Sequence, residues 1–162
     1  MKLIPLVGAT VLAAASLSAQ AVGPGALGAI DNTPVVVGST VPAGLLFDVY
    51  SFSLLKPGML SGIAASLEVL PALSISGFSA VLQDASFTTI GKDTSPGDGF
   101  SFNGLAAGSY ALTFVGFATG TQGGSYGGSI FATTVPEPEN YAMFLAGLGV
   151  IGFVMARRAK RD

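Results

Sequence analysis

Between Val22 and Thr134 no apolar pattern of helical period is sustained for more than ten residues; short apolar runs are instead separated by Gly, Pro, Ser and Thr. Runs of this length with period-two alternation and turn residues at their ends are strands. The expected strands are 34–41, 46–55, 62–70, 73–82, 86–91, 99–104, 109–118 and 126–134. Turn signals fall between several of them: Lys56-Pro57-Gly58, Pro71, Ser95-Pro96-Gly97-Asp98-Gly99, Ala107-Gly108 and the glycine-rich stretch 120–124. Eight short strands in about 113 residues predict an all-β fold, a small β-sandwich or jelly roll.

Alternation within the strands predicts where the core lies. In 109–118, Tyr110, Leu112 and Phe114 share one face and Ala111, Thr113, Val115 and Phe117 the other, so both faces are apolar and the strand reads as central. In 62–70, Ile63, Ala65, Leu67 and Val69 alternate with Ala64, Ser66, Glu68 and Leu70, a pattern with one buried and one partly wet face. In 46–54, Leu46, Asp48, Tyr50, Phe52 and Leu54 share a face, which sets an acid in an apolar row. A buried carboxylate needs partners or it protonates. Either Asp48 accepts backbone or hydroxyl hydrogen bonds at a strand end, or the strand is bulged, or the acid serves a ligand.

The two ends differ from this body. Met1-Lys2, an apolar run from Leu3 to Leu17, and Ser18-Ala19-Gln20-Ala21 have the basic, hydrophobic and small-residue zones of a secretory signal peptide. Ala19 and Ala21 form the small-residue pair that places cleavage after Ala21, which makes residues 1–21 a signal helix and residues 22–134 the outer domain. At the C-terminal end, residues 141–156 carry no charge and are followed by Arg157, Arg158, Lys160 and Arg161. This predicts a transmembrane helix over 141–156 whose basic tail, 157–161, stays on the cytoplasmic side. At about 1.5 Å per residue the run spans roughly 24 Å, short of the ~30 Å hydrocarbon core, so crossing requires interfacial help or local thinning.

Val135-Pro136-Glu137-Pro138-Glu139, then the apolar segment, then Arg-Arg-Ala-Lys-Arg, resembles the PEP-CTERM sorting domain. The resemblance covers residues 135–162 and implies recognition by an exosortase, a transpeptidase-like membrane enzyme, with cleavage near Pro136, Glu137 and Pro138. Both prolines fix φ and lack an N–H, which keeps the segment extended and accessible. The Leu46–Asp48–Tyr50 row is similar to the F-x-D-x-F family of PEP-CTERM proteins, with both flanking Phe positions replaced. Phe102-Asn103-Gly104-Leu105-Ala106-Ala107-Gly108-Ser109-Tyr110-Ala111-Leu112 is similar to the L-x-x-G-x-Y-x-L corner of that family and of bacterial pre-peptidase C-terminal sandwiches, in which a tight Gly turn feeds a strand whose Tyr covers the core edge.

Composition narrows the chemistry. The chain has no His and no Cys, which removes the commonest general base, the commonest metal ligand and the thiol nucleophile. The body is mildly acidic, with Asp31, Asp48, Glu68, Asp84, Asp93 and Asp98 against Lys56 and Lys92, so nucleic acid is not an expected partner. Asp93 and Asp98 share a Gly/Pro loop that invites a Ca²⁺ reading, but the EF-hand spacing is absent and Asx turns account for both. No Gly-Lys-Ser/Thr follows the glycines of 120–128, so they form no phosphate loop. No catalytic residue, cofactor or metal site is expected. The expected function is structural or interactive, at the cell surface or in exopolysaccharide or biofilm matrix. A carbohydrate-binding module for matrix polysaccharide, with Tyr110 or Tyr126 as stacking residues, is the second reading, and a small hydrolase the third.

Overall fold

The computed structural model describes residues 21–134 and a helix over Pro138–Ala159. Residues 1–20 of the expected signal segment, Ala19 among them, and Pro136, Glu137, Lys160 and Arg161 lie outside the described residues. Nine strands follow in order: β1 (Gly25–Ala29), β2 (Val35–Val41), β3 (Gly44–Leu54), β4 (Gly58–Ser66), β5 (Ile75–Asp84), β6 (Thr89–Asp93), β7 (Phe100–Leu105), β8 (Gly108–Ala118) and β9 (Gly124–Thr134). A 3₁₀ turn, Pro96–Asp98, precedes β7, and the C-terminal helix is α1.

The strands form two sheets, β1-β3-β8-β5-β6 and β2-β9-β4-β7. Their inner faces meet as a sandwich, and the core lies between them. From the five-stranded sheet come Leu46, Tyr50, Phe52, Leu54, Ala80, Leu82, Tyr110, Leu112 and Phe114. From the four-stranded sheet come Val37, Leu60, Ala64, Phe100, Phe102, Leu105, Tyr126, Ile130 and Ala132. Phe114 is the hub: its ring meets Tyr50 edge-on at 5.8 Å, Phe100 at 6.3 Å and Tyr126 at 5.2 Å, which ties the two layers together. β8 is the central strand of its sheet, as the two apolar faces of 109–118 predict.

Among the described residues, no further layer covers the second face of β8. Thr113 is buried there, yet Phe117 is 53% exposed and its neighbours across the ladder, Leu45 and Phe47, are more exposed still. The strand expected at 62–70 is displaced to 58–66, and its core residues are Leu60 and Ala64 rather than the larger row Ile63, Leu67 and Val69, which faces outward. Close approach is the reason. A Cβ at Gly62 would stand 2.7 Å from the Phe100 ring, and one at Gly128 of β9 would collide with the Ile63 carbonyl, so this sheet needs small residues where the backbones meet. β1 has no counterpart among the expected strands; it pairs in parallel with the lower half of β3, Gly25 with Tyr50 through Ala29 with Ser53.

Helix α1 begins at Pro138, which as the first helical residue gives up an N–H that has no partner in any case. It contains the expected 141–156 segment and extends through Arg157 and Arg158. Among the described residues, no helix is long and apolar enough to cross a membrane.

Candidate functional site

A chain of hydroxyls and one carboxylate crosses the interior between β3 and β9. The register of β3 on β8 runs without a shift from Gly44–Ala118 to Leu54–Gly108, so the strand is not bulged and its even-numbered residues all point inward. Asp48 therefore enters the sandwich from mid-strand, half-buried, and meets β9 of the opposite sheet. Tyr126 Oη donates to Asp48 Oδ2 at 2.8 Å. Tyr126 Oη also lies 3.0 Å from Tyr50 Oη. With the single Tyr126 hydrogen committed to the carboxylate, the Tyr50 hydroxyl is the donor in that second bond.

The expected Asp48 partner is thus a hydroxyl, reached across the sandwich rather than at a strand end. Around the chain, Phe78 packs on Tyr126 at 5.3 Å and Phe114 on both tyrosines. Burial pushes both phenols above their ordinary value of 10.0, and the hydrogen bond that Tyr126 donates to Asp48 raises Tyr126 further. Tyr126 is held in its protonated form, as a donor. It is a strut joining two sheets, and the aromatic shell around it strengthens each bond by excluding water.

Tyr110 sits elsewhere. Its hydroxyl donates to the Ala106 carbonyl at 2.8 Å, closing the turn between β7 and β8, and its ring stacks on Phe52 at 5.8 Å. The structure brings Asp48 and Tyr126 together and leaves Tyr110 apart. Tyr126 is 4% and Tyr110 9% exposed, so neither ring offers an open face to a sugar. Asp93 Oδ1 accepts from the Ser95 N–H at 2.7 Å, an Asx turn, and Asp98 closes the 3₁₀ turn by donating its N–H to the Ser95 carbonyl. Among the described residues, no three acidic side chains gather to hold an ion.

The sequence reading missed Tyr50 as a member of the chain. The signal was the unmet donor requirement of Asp48 in a protein with four tyrosines, but which hydroxyl lies opposite depends on sheet-to-sheet packing.

At the end of the sandwich where β9 runs out toward α1, Ile30, Leu54, Leu55 and Ala132 line a groove of about 270 Å³ with Asp31 and Lys56 at its rim. Asp31 Oδ1 accepts from the Thr33 N–H at 2.7 Å, and this bond holds its carboxyl below the usual range. The acid is engaged locally and is not directed into the groove by any partner across it.

The segment that leaves this end supplies the one recognisable address. A comparison with curated proteins finds no match to the chain. A family model for the PEP-CTERM protein-sorting motif matches residues 134–161, from the last residue of β9 through the basic cluster, and does not extend to the Leu46–Asp48–Tyr50 row. That match supports a protein sorted by an exosortase to the cell surface. The chain carries a PEP-CTERM protein-sorting motif.

Proposed function

We propose that this chain is an exported, non-enzymatic surface protein whose sandwich is the delivered module and whose tail is a removable address. In this reading residues 1–21 direct export and residues 141–156 hold the precursor in the inner membrane with 157–161 on the cytoplasmic side. An exosortase cuts near Pro136, Glu137 and Pro138, and residues 22–134 pass from the periplasmic side to the cell surface or into exopolysaccharide or biofilm matrix. The observation that carries the reading is the sorting motif at 134–161, placed directly after the last core strand. Among the described residues the core runs from Ile30 to Ala132, entirely ahead of the cut.

Two features support a structural rather than chemical role. The composition lacks His and Cys, and Asp48, the one acid in the apolar row, is occupied by Tyr126. The likeness of that row to the F-x-D-x-F family belongs to the same reading: the acid at its centre braces the two sheets. The test is substitution in the triplet. Pro136→Ala with Pro138→Ala in the full chain is expected to leave the protein in the membrane fraction of its own host, while the unaltered chain reaches the surface. Equal surface amounts of the two would refute the reading.

A further inference from the structure

The two ends of the sandwich differ in what their loops present, and the tail leaves from one of them. Gly58 pairs with both Leu105 and Thr134, Leu54 with Gly108, and Asp84 with Tyr110. These registers put the β3–β4 turn, the tip of the β5–β6 hairpin and the exit of β9 at the same end. Two large apolar side chains project there: Leu55, 78% exposed, and Phe87, 77% exposed. Lys56, beside Leu55, is exposed as well.

Phe87 is held outward by a backbone that does not suit it. Its φ of +61° lies in the left-handed region, which a bulky L residue rarely adopts. The hairpin tip enforces that conformation. Asp84 Oδ1 accepts from the Ser86 N–H at 2.8 Å and the Thr88 N–H at 2.9 Å, and the Phe87 N–H donates to the Asp84 carbonyl at 3.0 Å. Gln83 Nε2 donates to the Phe87 carbonyl at 3.1 Å. Glycine would hold this backbone without strain, so an ordered tip carries an aromatic ring into solvent where the core gains nothing from it.

We propose that this end of the sandwich rests on the lipid surface that holds α1, with Leu55 and Phe87 entering the headgroup layer and Lys56 on its anionic groups. The inference rests on the reading of 141–156 as the membrane segment. Residues 135–137 alone separate Thr134 from Pro138, and four Cα steps span at most about 14 Å. The exit end therefore stays within that distance of the start of α1. The opposite end lies a strand length away: β9 has 11 residues, roughly 36 Å at about 3.3 Å each. Charge agrees with the assignment. The loops of the opposite end, 42–43, 67–74, 94–99 and 119–123, carry Glu68 and Asp98 and no base, which an anionic surface repels. At the exit end the loops set Lys56 against Asp31, which accepts from its own turn, and Asp84 is directed onto the Ser86 and Thr88 N–H groups. Two apolar tips make a weak contact without the tether, so loss of the tail frees the sandwich. Until then the contact keeps residues 135–138 at the membrane face.

The chain has no cysteine, so a single introduced thiol reports a single site. Full chains with Leu55→Cys, Phe87→Cys, Leu67→Cys or Leu148→Cys, all exposed positions, are labelled with an environment-sensitive fluorophore. They are reconstituted into phosphatidylethanolamine–phosphatidylglycerol vesicles that contain a nitroxide-labelled lipid. Labels at 55, 87 and 148 are expected to lose emission to the nitroxide, and the label at 67, at the opposite end, to keep it. Phe87→Gly is expected to reduce quenching at 55 while melting no lower than the unaltered chain, a pairing that a packing role for the ring would not give. Quenching at 148 with none at 55 and 87, equal quenching at 67 and 87, or unchanged quenching at 55 in Phe87→Gly would each overturn the inference and leave the membrane reading standing. Absence of quenching at 148 would overturn both.

Discussion

The sandwich and the tail helix treat apolar side chains in opposite ways. In the body, Leu46, Tyr50, Leu82, Leu112 and Phe114 are fully buried between two sheets. In α1, Met143, Phe144, Leu145 and Ile151 are each more than 60% exposed, although they are no less hydrophobic. Burial is worth about 1.5–3 kcal/mol for a large side chain, so the body gains its shape from its own residues while the helix leaves that gain to a surrounding medium or partner. The difference teaches that the two parts answer to different demands. One is a fold with its own core; the other carries the matched sorting motif and, among the described residues, leaves its apolar side chains exposed.

Substitutions separate the parts most sharply at the core hub. Phe114→Ala removes the ring that joins both layers and is expected to lower unfolding stability by about 3–5 kcal/mol in chemical denaturation. Leu148→Ala in α1 is expected to leave that transition within about 0.5 kcal/mol of the original, since Leu148 is 50% exposed and outside the core. A large effect of the second change would join what the comparison divides.

A smaller effect tests the cross-sheet strut. Asp48→Ala leaves the Tyr126 hydroxyl buried without its acceptor and is expected to cost about 1–3 kcal/mol. Tyr126→Phe strands the carboxylate in turn, and the double variant is expected to lose less than the sum of the singles. Additive losses in the double-mutant cycle would show that the bond does not couple the sheets.

The same strut predicts an alkaline limit. Both phenols have folded values raised above 10.0, so the neutral forms are favoured in the fold. Below that pH the contribution is fully present. Above it the unfolded chain releases protons that the folded chain retains, and stability falls as pH rises. A melting profile flat through pH 10 and beyond would contradict the buried, protonated pair. A smaller effect than at the strut is expected at Tyr110→Phe, which loses one bond to the Ala106 carbonyl and about 0.5–1.5 kcal/mol.

Much of the sandwich is legible in its sequence because period-two alternation and turn residues are local properties. Ser109 to Ala118 reads as a central strand, and the Tyr110 corner is closed by a bond four residues back. What is not local is not legible. Gly25–Ala29 has no strand-forming side chains and becomes a strand only because β3 offers it an edge. Ile63, Leu67 and Val69 look like a core face, and only the close approach of β4 to β9 and Phe100 shows that small residues must point inward there. The oddity of Asp48 stands out in the apolar row, but its partner lies 78 residues away on the other sheet. The tail is the reverse case: its order of triplet, apolar run and basic cluster is read from sequence with little help from geometry.

The central claim, that the body is delivered and the tail is an address, is tested most directly by the intact mass of the chain recovered from the cell surface, compared with the membrane-bound form. The account predicts a surface species that lacks every residue after 141 and melts as the full-length chain does. Surface material that retains the whole helix, or a full-length membrane-bound chain as the only species, would contradict it.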